Sequence, residues 1–318
     1  MPIEIKEIFS SQLPVGEKLS IQRTRFSPDQ PIENAGRISI VSGIHGDELE
    51  GQLVIYLLAA WLREHPEALR GTVDIYPAVN SLGVDTIIRG FPMYGTDLNR
   101  AFPGAKNDYL PAQVVHALAE DVEGSDIAID IHSSNIFLRE IPQIRINKEF
   151  SESTLPLAKQ LNCDFIWIHD AVTVLEATFS HTLNSRGTKT LVVEMGVGMR
   201  LTKAYGRQLL RGILNLMQNE GIIETPTPFE VREPFSSEVG DVYYINAPAA
   251  GLFVPLLDHC DIIEEGQWIG DIVDPLTGTV RAPIHAPHSG ILFTLREYPV
   301  VYEGSLLARI FGATDEKN

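Results

Sequence analysis

The stretch "RISIVSGIHGDELEGQLVIYLLAAWL", residues 37–62, passes from a β-branched apolar run through a turn rich in glycine and acid into a helical pattern. A strand buried on both faces, followed by a helix, is one step of a parallel sheet. The turn between them holds His45 and Glu48, three positions apart, where the strand should stop. In open parallel sheets ligands bind beyond the carboxyl ends of the strands. Fold and chemistry therefore meet in this one turn.

The step repeats along the chain to about residue 220. Residues 72–80, 126–134, 163–170 and 190–196 read as further buried strands, and 47–66, 110–124, 151–162 and 199–221 as helices. Alternation of this kind predicts an α/β fold, a mostly parallel sheet with helices on both faces. The texture changes at "IIETPTPFEVREPF", residues 222–235, where three prolines and a polar run mark a linker. Beyond it lie short apolar runs separated by turns, with no helical period. The reading is two domains, 1–224 and a small all-β module over 225–318.

Composition bounds the function. The 318 residues suffice for two domains. A formal charge of −17 with no basic cluster argues against a nucleic-acid partner. The longest apolar run, "LVIYLLAAWL", is about half what a membrane span needs. The start carries no basic-then-apolar leader pattern, and the two cysteines, Cys163 and Cys260, form no motif. These features predict a cytoplasmic protein with reduced thiols and no membrane partner.

Polar residues gather at the predicted strand ends. His45 and Glu48 follow the first strand, His132 closes "DIAIDIHSS", Glu194 closes "TLVVEMG", and Asp97, Asn99 and Arg100 lie in the loop "GTDLNRAFPG". Singly, each has an ordinary structural reading as a cap, a salt bridge or a satisfied buried group. Jointly they would bring several costly polar groups to one sheet edge. The set His45, Glu48, His132 suits Zn²⁺, because two imidazoles and a carboxylate leave a fourth tetrahedral position for water. Glu194 is then the candidate to take the proton of that water and pass it to a leaving nitrogen.

The motifs "GIHGDELEG", "DLNRAFPG", "DIHSS" and "VEMG", in this order, resemble the succinylglutamate desuccinylase/aspartoacylase family of the zinc carboxypeptidase-like superfamily. The resemblance covers about residues 35–220. It implies a carboxypeptidase-like mixed sheet and one Zn²⁺ per chain held by His45, Glu48 and His132. It implies Glu194 as general base and acid, and Asp97 bonded to the far nitrogen of His45. Asn99 and Arg100 would hold a substrate carboxylate, and Arg89 would steady the oxyanion.

The module after residue 235 resembles a biotinyl/lipoyl-type barrel, but its candidate hairpin tip, "DPLTGTVR", has no lysine to carry a swinging arm. A cap over the cleft or a subunit contact is expected instead, with a homo-oligomer as one outcome. Arg139, Arg145 and Arg186 could reach the cleft and read a second carboxylate, and His181 could touch substrate, but the structural reading of each is favoured; His259, His285 and His288 read as solvated. The expected function is hydrolysis of a linear amide in a small N-acyl amino acid or related carboxylate. A metallocarboxypeptidase acting on peptides would use the same residues. A non-catalytic binding module would keep the fold without the chemistry.

Overall fold

The computed structural model describes residues 1–30, 32–169, 176–238 and 240–313. Its elements begin with β1 (Ile3–Gln12), β2 (Lys18–Phe26), β3 (Arg37–Ser42), α1 (Glu50–Glu64), β4 (Thr72–Tyr76), α2 (Ser81–Thr86) and α3 (Leu110–Val122). They continue through β5 (Ile127–Ser133), β6 (Leu138–Asn147), α4 (Ser151–Ala158), β7 (Phe165–His169), α5 (Phe179–Ser185), β8 (Lys189–Gly196) and α6 (Lys203–Asn219). Asp170, the last residue of the sequence-predicted strand 163–170, lies outside the described residues.

Strands β4, β3, β5 and β8 are mutually parallel and form the heart of a large mixed sheet. Antiparallel strands flank them: β2 pairs with β4, and β6 with β8. The β1–β2 hairpin makes one edge of the sheet and was not anticipated from the sequence. Every residue of β5 is buried, which explains its apolar character outside Asp130, His132 and Ser133.

Helices cover both faces. Val54, Ile55, Leu58 and Leu62 of α1 and Leu209, Ile213, Leu216 and Met217 of α6 bury one face together with Ile38, Ile40, Ile129 and Val193. Val114, Val115, Leu118 and Val122 of α3 and Phe179 and Leu183 of α5 bury the other against Val41 and Ala128. Side chains alternate between faces along a strand, so Asp130 and His132 share the side of Ala128. Burying so many branched side chains, at roughly 1.5–3 kcal/mol each, makes this sheet a rigid platform for groups at its ends.

The remaining strands are β9 (Phe235–Ser236), β10 (Gly240–Asn246), β11 (Gly251–Pro255), β12 (Ile262–Ile263), β13 (Trp268–Asp274), β14 (Thr279–His285), β15 (Gly290–Arg296), β16 (Val300–Val301) and β17 (Leu306–Ala313). Strands β14, β13, β11 and β16 form a separate antiparallel sheet. It encloses a core including Phe253, Ile269, Ile272, Leu292 and Ile310 against β10, β15 and β17. Strand β15 also pairs antiparallel with β6, through Leu138–Glu140. The C-terminal strands therefore extend the large sheet rather than hang from a tether.

Candidate active site

The turn after β3 is built for close approach. Gly43 has φ +69°, in the left-handed region, and a Cβ there would stand 2.9 Å from Ala78 Cα. A Cβ on Gly46 would stand 2.0 Å from the carbonyl carbon of Gly83. Only glycine lets the His45–Glu48 turn sit against this neighbouring backbone. Glu50, in the same acidic run, is no ligand candidate: both its carboxylate oxygens accept from the Thr202 amide at the start of α6.

His45, Glu48 and His132 are buried and converge. Their donor atoms all lie within 4.8 Å of one another. Glu48 Oε1 is 2.8 Å from His45 Nδ1, and Oε2 is 2.8 Å from His132 Nδ1. The two Nδ1 atoms are 3.2 Å apart. Each ring is held from behind by a carboxylate. His45 Nε2 donates to Asp97 Oδ1 at 2.8 Å, and His132 Nε2 donates to Asp130 Oδ2 at 2.8 Å. A proton fixed on Nε2 leaves Nδ1 as the lone-pair donor, so both rings present their coordinating nitrogen to one point. The donor set fits a divalent cation. Burial opposes the Glu48 charge, but the two rings outweigh it and hold the carboxyl well below its ordinary range. Asp97 is likewise held low: burial is outweighed by His45 and then Arg89.

Asp130 was missed in the sequence, although a signal was there. In "DIAIDIHSS" it stands two before His132, hence on the same face of the strand.

Glu194 on β8 is the register partner of His132 on β5 and lines the same cleft. Burial pushes its carboxyl up, and Arg145 and His132 pull back only in part. Arg145 Nη1 stands 3.2 Å from Glu194 Oε1, so Arg145 belongs to this site and not to the surface.

The other predicted residues distribute as follows. Arg89 donates to Glu48 Oε1 at 2.6 Å and to Asp97 Oδ2 at 3.3 Å. Asn99 is buried, accepts from the Phe179 amide at 2.9 Å, and has its Nδ2 3.4 Å from His132 Nε2. Arg100 bonds the Asn99 carbonyl and makes no ion pair among the described residues. His181 lines the cleft beside the Phe150 ring. Arg186 pairs with Glu123 and Arg139 with Glu297, both away from the cleft.

Two expectations need correction. The cleft, about 180 Å³, is lined by residues between His45 and Glu194, and no described residue of the C-terminal module lines it. The module docks on β6 through β15 and on α6 through His259, and none of its described residues lines the cleft as a cap would. His259 and His288 are not merely solvated: Tyr205 Oη lies 2.6 Å from His259 Nε2, and His288 stacks on Tyr243 with ring centroids 3.7 Å apart.

The model of the succinylglutamate desuccinylase/aspartoacylase catalytic domain matches residues 34–219, the span that carries every described residue lining the cleft. The chain belongs to this family. The N-alpha-acetyl-L-2,4-diaminobutyric acid deacetylase of Halomonas elongata is 28% identical over 282 residues, covering 86% of this chain and 78% of its own. A succinylglutamate desuccinylase/aspartoacylase of Rhodobacter sphaeroides shares the fold at TM-score 0.79 and 24% identity, over 98% of this chain and 96% of its own. The product-bound ectoine utilization protein EutE of Ruegeria pomeroyi does so at TM-score 0.79 and 18% identity, over 97% and 94%. The shared fold thus includes the C-terminal strands. As a family member the chain is a hydrolase of carbon–nitrogen bonds other than peptide bonds. No helix among the described residues is long and apolar enough to cross a membrane.

Proposed function

We propose that this chain is a zinc-dependent amidohydrolase that deacylates a small N-acyl amino acid or a related carboxylate. The observation that carries the reading is the convergence of His45 Nδ1, Glu48 and His132 Nδ1 in the cleft that Glu194 lines. Nitrogens about 2.0–2.1 Å from a tetrahedral zinc stand about 3.3 Å apart, and the two Nδ1 atoms here are 3.2 Å apart. When bound, zinc supplies Lewis acidity, lowering the pKa of water to about 7 and polarising the scissile carbonyl.

The rest falls to the chain's own side chains. Glu194 takes the proton of the attacking water and returns it to the departing amine. Burial, which raises its carboxyl, brings it nearer the operating pH and suits both halves of that duty. Arg89 is the cation we assign to the oxyanion, and Asp97 and Asp130 fix the ring tautomers. Asn99 and Arg100 hold the substrate carboxylate, and the absence of an ion pair on Arg100 among the described residues supports this. The substrate class follows the Halomonas elongata deacetylase, and the small cleft is in keeping with it. We assign the chemistry to residues 1–224 and treat 225–318 as the appended module. Two free cysteines support a reducing, cytoplasmic setting.

The test is Glu194→Gln, assayed on a panel of N-acetyl and N-succinyl amino acids, including N-alpha-acetyl-L-2,4-diaminobutyric acid, with C-terminal dipeptides alongside. Zinc content should be retained and kcat should fall at least about a hundredfold. Unchanged activity defeats the assignment of Glu194, and faster turnover of the dipeptides defeats the substrate class.

A further inference from the structure

Glu140, in β6, is 1% exposed and yet carries a carboxylate. Arg145 Nη2 donates to both its oxygens, at 3.2 and 2.9 Å, the Gln143 amide donates to Oε2, and Arg309 Nη1 donates to Oε1 at 2.7 Å. The other amino group of the same Arg145 faces Glu194 at 3.2 Å. One guanidinium thus bridges two carboxylates, the half-buried Glu194 inside the cleft and the buried Glu140 behind it.

The sheet explains how these groups meet. Register pairs Glu140 with Thr294 and Thr294 with Arg309, so three strands present one row across β6, β15 and β17. A register shift in β6 between Glu140 and Gln143 turns Glu140 to the side of Gln143 and Arg145. Trp167 stands by both cations: Arg145 and Arg309 lie 5.6 and 5.4 Å from its ring centroid. Arg309 also lies 5.7 Å from the centroid of the Tyr244 ring in β10.

Charge decides what the arrangement does. Arg145 alone cannot neutralise both Glu140 and Glu194, and buried charges left unpaired are costly. With Arg309 present, two guanidiniums meet two carboxylates. Without it, Glu140 would claim Arg145 for itself and the cleft carboxylate would lose its anchor.

We propose that Arg309, contributed by the C-terminal strands, is a positioning residue for the reaction: by neutralising Glu140 it frees Arg145 to hold Glu194 in the cleft. The inference rests on Glu194 being the proton carrier. It gives the module a task at the active site although none of its described residues lines the cleft.

The test compares the zinc-loaded full chain with R309M, R309K, E140Q and E140Q/R309M, using the N-acetyl amino acid best hydrolysed in the panel. R309M should lower kcat about tenfold, a typical consequence of misplacing a reacting group by a fraction of an ångström. KM should stay within about twofold, because Arg309 touches no substrate, and zinc content should not change. R309K, which keeps the charge, should stay within about threefold of the parent. In the E140Q background the same R309M change should move kcat less than about twofold, since no charge remains to neutralise. Melting of the zinc-free proteins gives a readout independent of turnover: E140Q/R309M should melt above R309M.

An R309M kcat equal to the parent's, or an equal loss with and without E140Q, overturns the proposal. If R309M does not fold, a tenfold fall in R309K overturns it as well. Glu194→Gln measured in parallel separates the two readings. If it stays active the proton carrier is wrong, whereas an inactive Glu194→Gln beside an unaffected R309M sinks only the role of Arg309.

Discussion

Replacing Asp130 by Asn changes one charge and almost no volume. Asp130 is 1% exposed, and its Oδ2 accepts from His132 Nε2 at 2.8 Å. An asparagine can turn its amide oxygen to the same N–H, so the ring stays in place and only the charge is lost. Hydrogen bonds to an ionised acceptor are roughly twice as strong as neutral ones. Loss of such a partner behind a metal-bound histidine weakens metal binding about 10–100-fold. Solvent does not screen Asp130, so Asp130→Asn belongs near the upper end, about fiftyfold, or roughly 2.3 kcal/mol. Asp97 does the same for His45 but is 28% exposed, so Asp97→Asn belongs near the lower end, about tenfold. Competition for zinc against a chromophoric chelator at constant pH measures both, with circular dichroism to confirm folding. Suppose Asp130→Asn binds zinc within about twofold of the parent while His132→Ala loses it. The carboxylate behind the ring would then have no influence on the metal, and the reasoning from Asp130 would fail.

Two further outcomes follow from the geometry. Gly46→Ala would drive a methyl group against the Gly83 carbonyl at 2.0 Å; overpacking of this kind costs about 1–3 kcal/mol, and a urea midpoint equal to the parent's would show that the turn gives way freely. His259 has its pKa lowered to about 4, by burial first and Arg139 second. The folded state therefore keeps the ring neutral while the unfolded chain protonates it below about 6.5. The parent should lose stability as pH falls from about 6.5 to about 4 and gain no further loss from this group below that. His259→Gln should show a flatter profile of urea midpoint against pH over that window, and parallel profiles would refute the assignment.

What could be read from the sequence is what depends on local pattern. The buried strands ending in His132 and Glu194 announce themselves because a parallel strand covered on both faces is an unbroken apolar run, and a polar residue at its end stands out. The glycines around His45 marked a tight turn in the same way. Strand β6 did not announce itself: Pro142 interrupts it, and proline in a central strand normally argues against the assignment. The register shift between Glu140 and Gln143 accommodates that residue. Missing β6 hid everything that depends on it. Arg145 could be named only as one of three arginines able to reach the cleft, with a structural role favoured, because only the antiparallel pairing of β6 on β8 brings it to Glu194. Glu140 and Arg309 are 169 positions apart and meet through two strand pairings that no local pattern reports.

The net charge of −17 and the proposed taste for carboxylates are reconciled by distance. At physiological salt the Debye length is about 8 Å, so acids scattered over the surface act weakly on a group inside the cleft. What acts there are the contacts at hydrogen-bonding range. Arg89, Arg100 and Arg145 line the cleft, and Glu194 is the one acid among its described lining residues. These three cations are not equivalent. Arg89 is engaged by Glu48 and Asp97, and Arg145 by Glu140 and Glu194. Arg100 has only a backbone carbonyl to hold and makes no ion pair among the described residues. A fork already satisfied by two acids gains little from a third, whereas an uncommitted guanidinium gains the full bidentate interaction. On the proposed reading, Arg100 is the cleft arginine left uncommitted for the substrate carboxylate, whereas Arg89 and Arg145 are already held in place by acids.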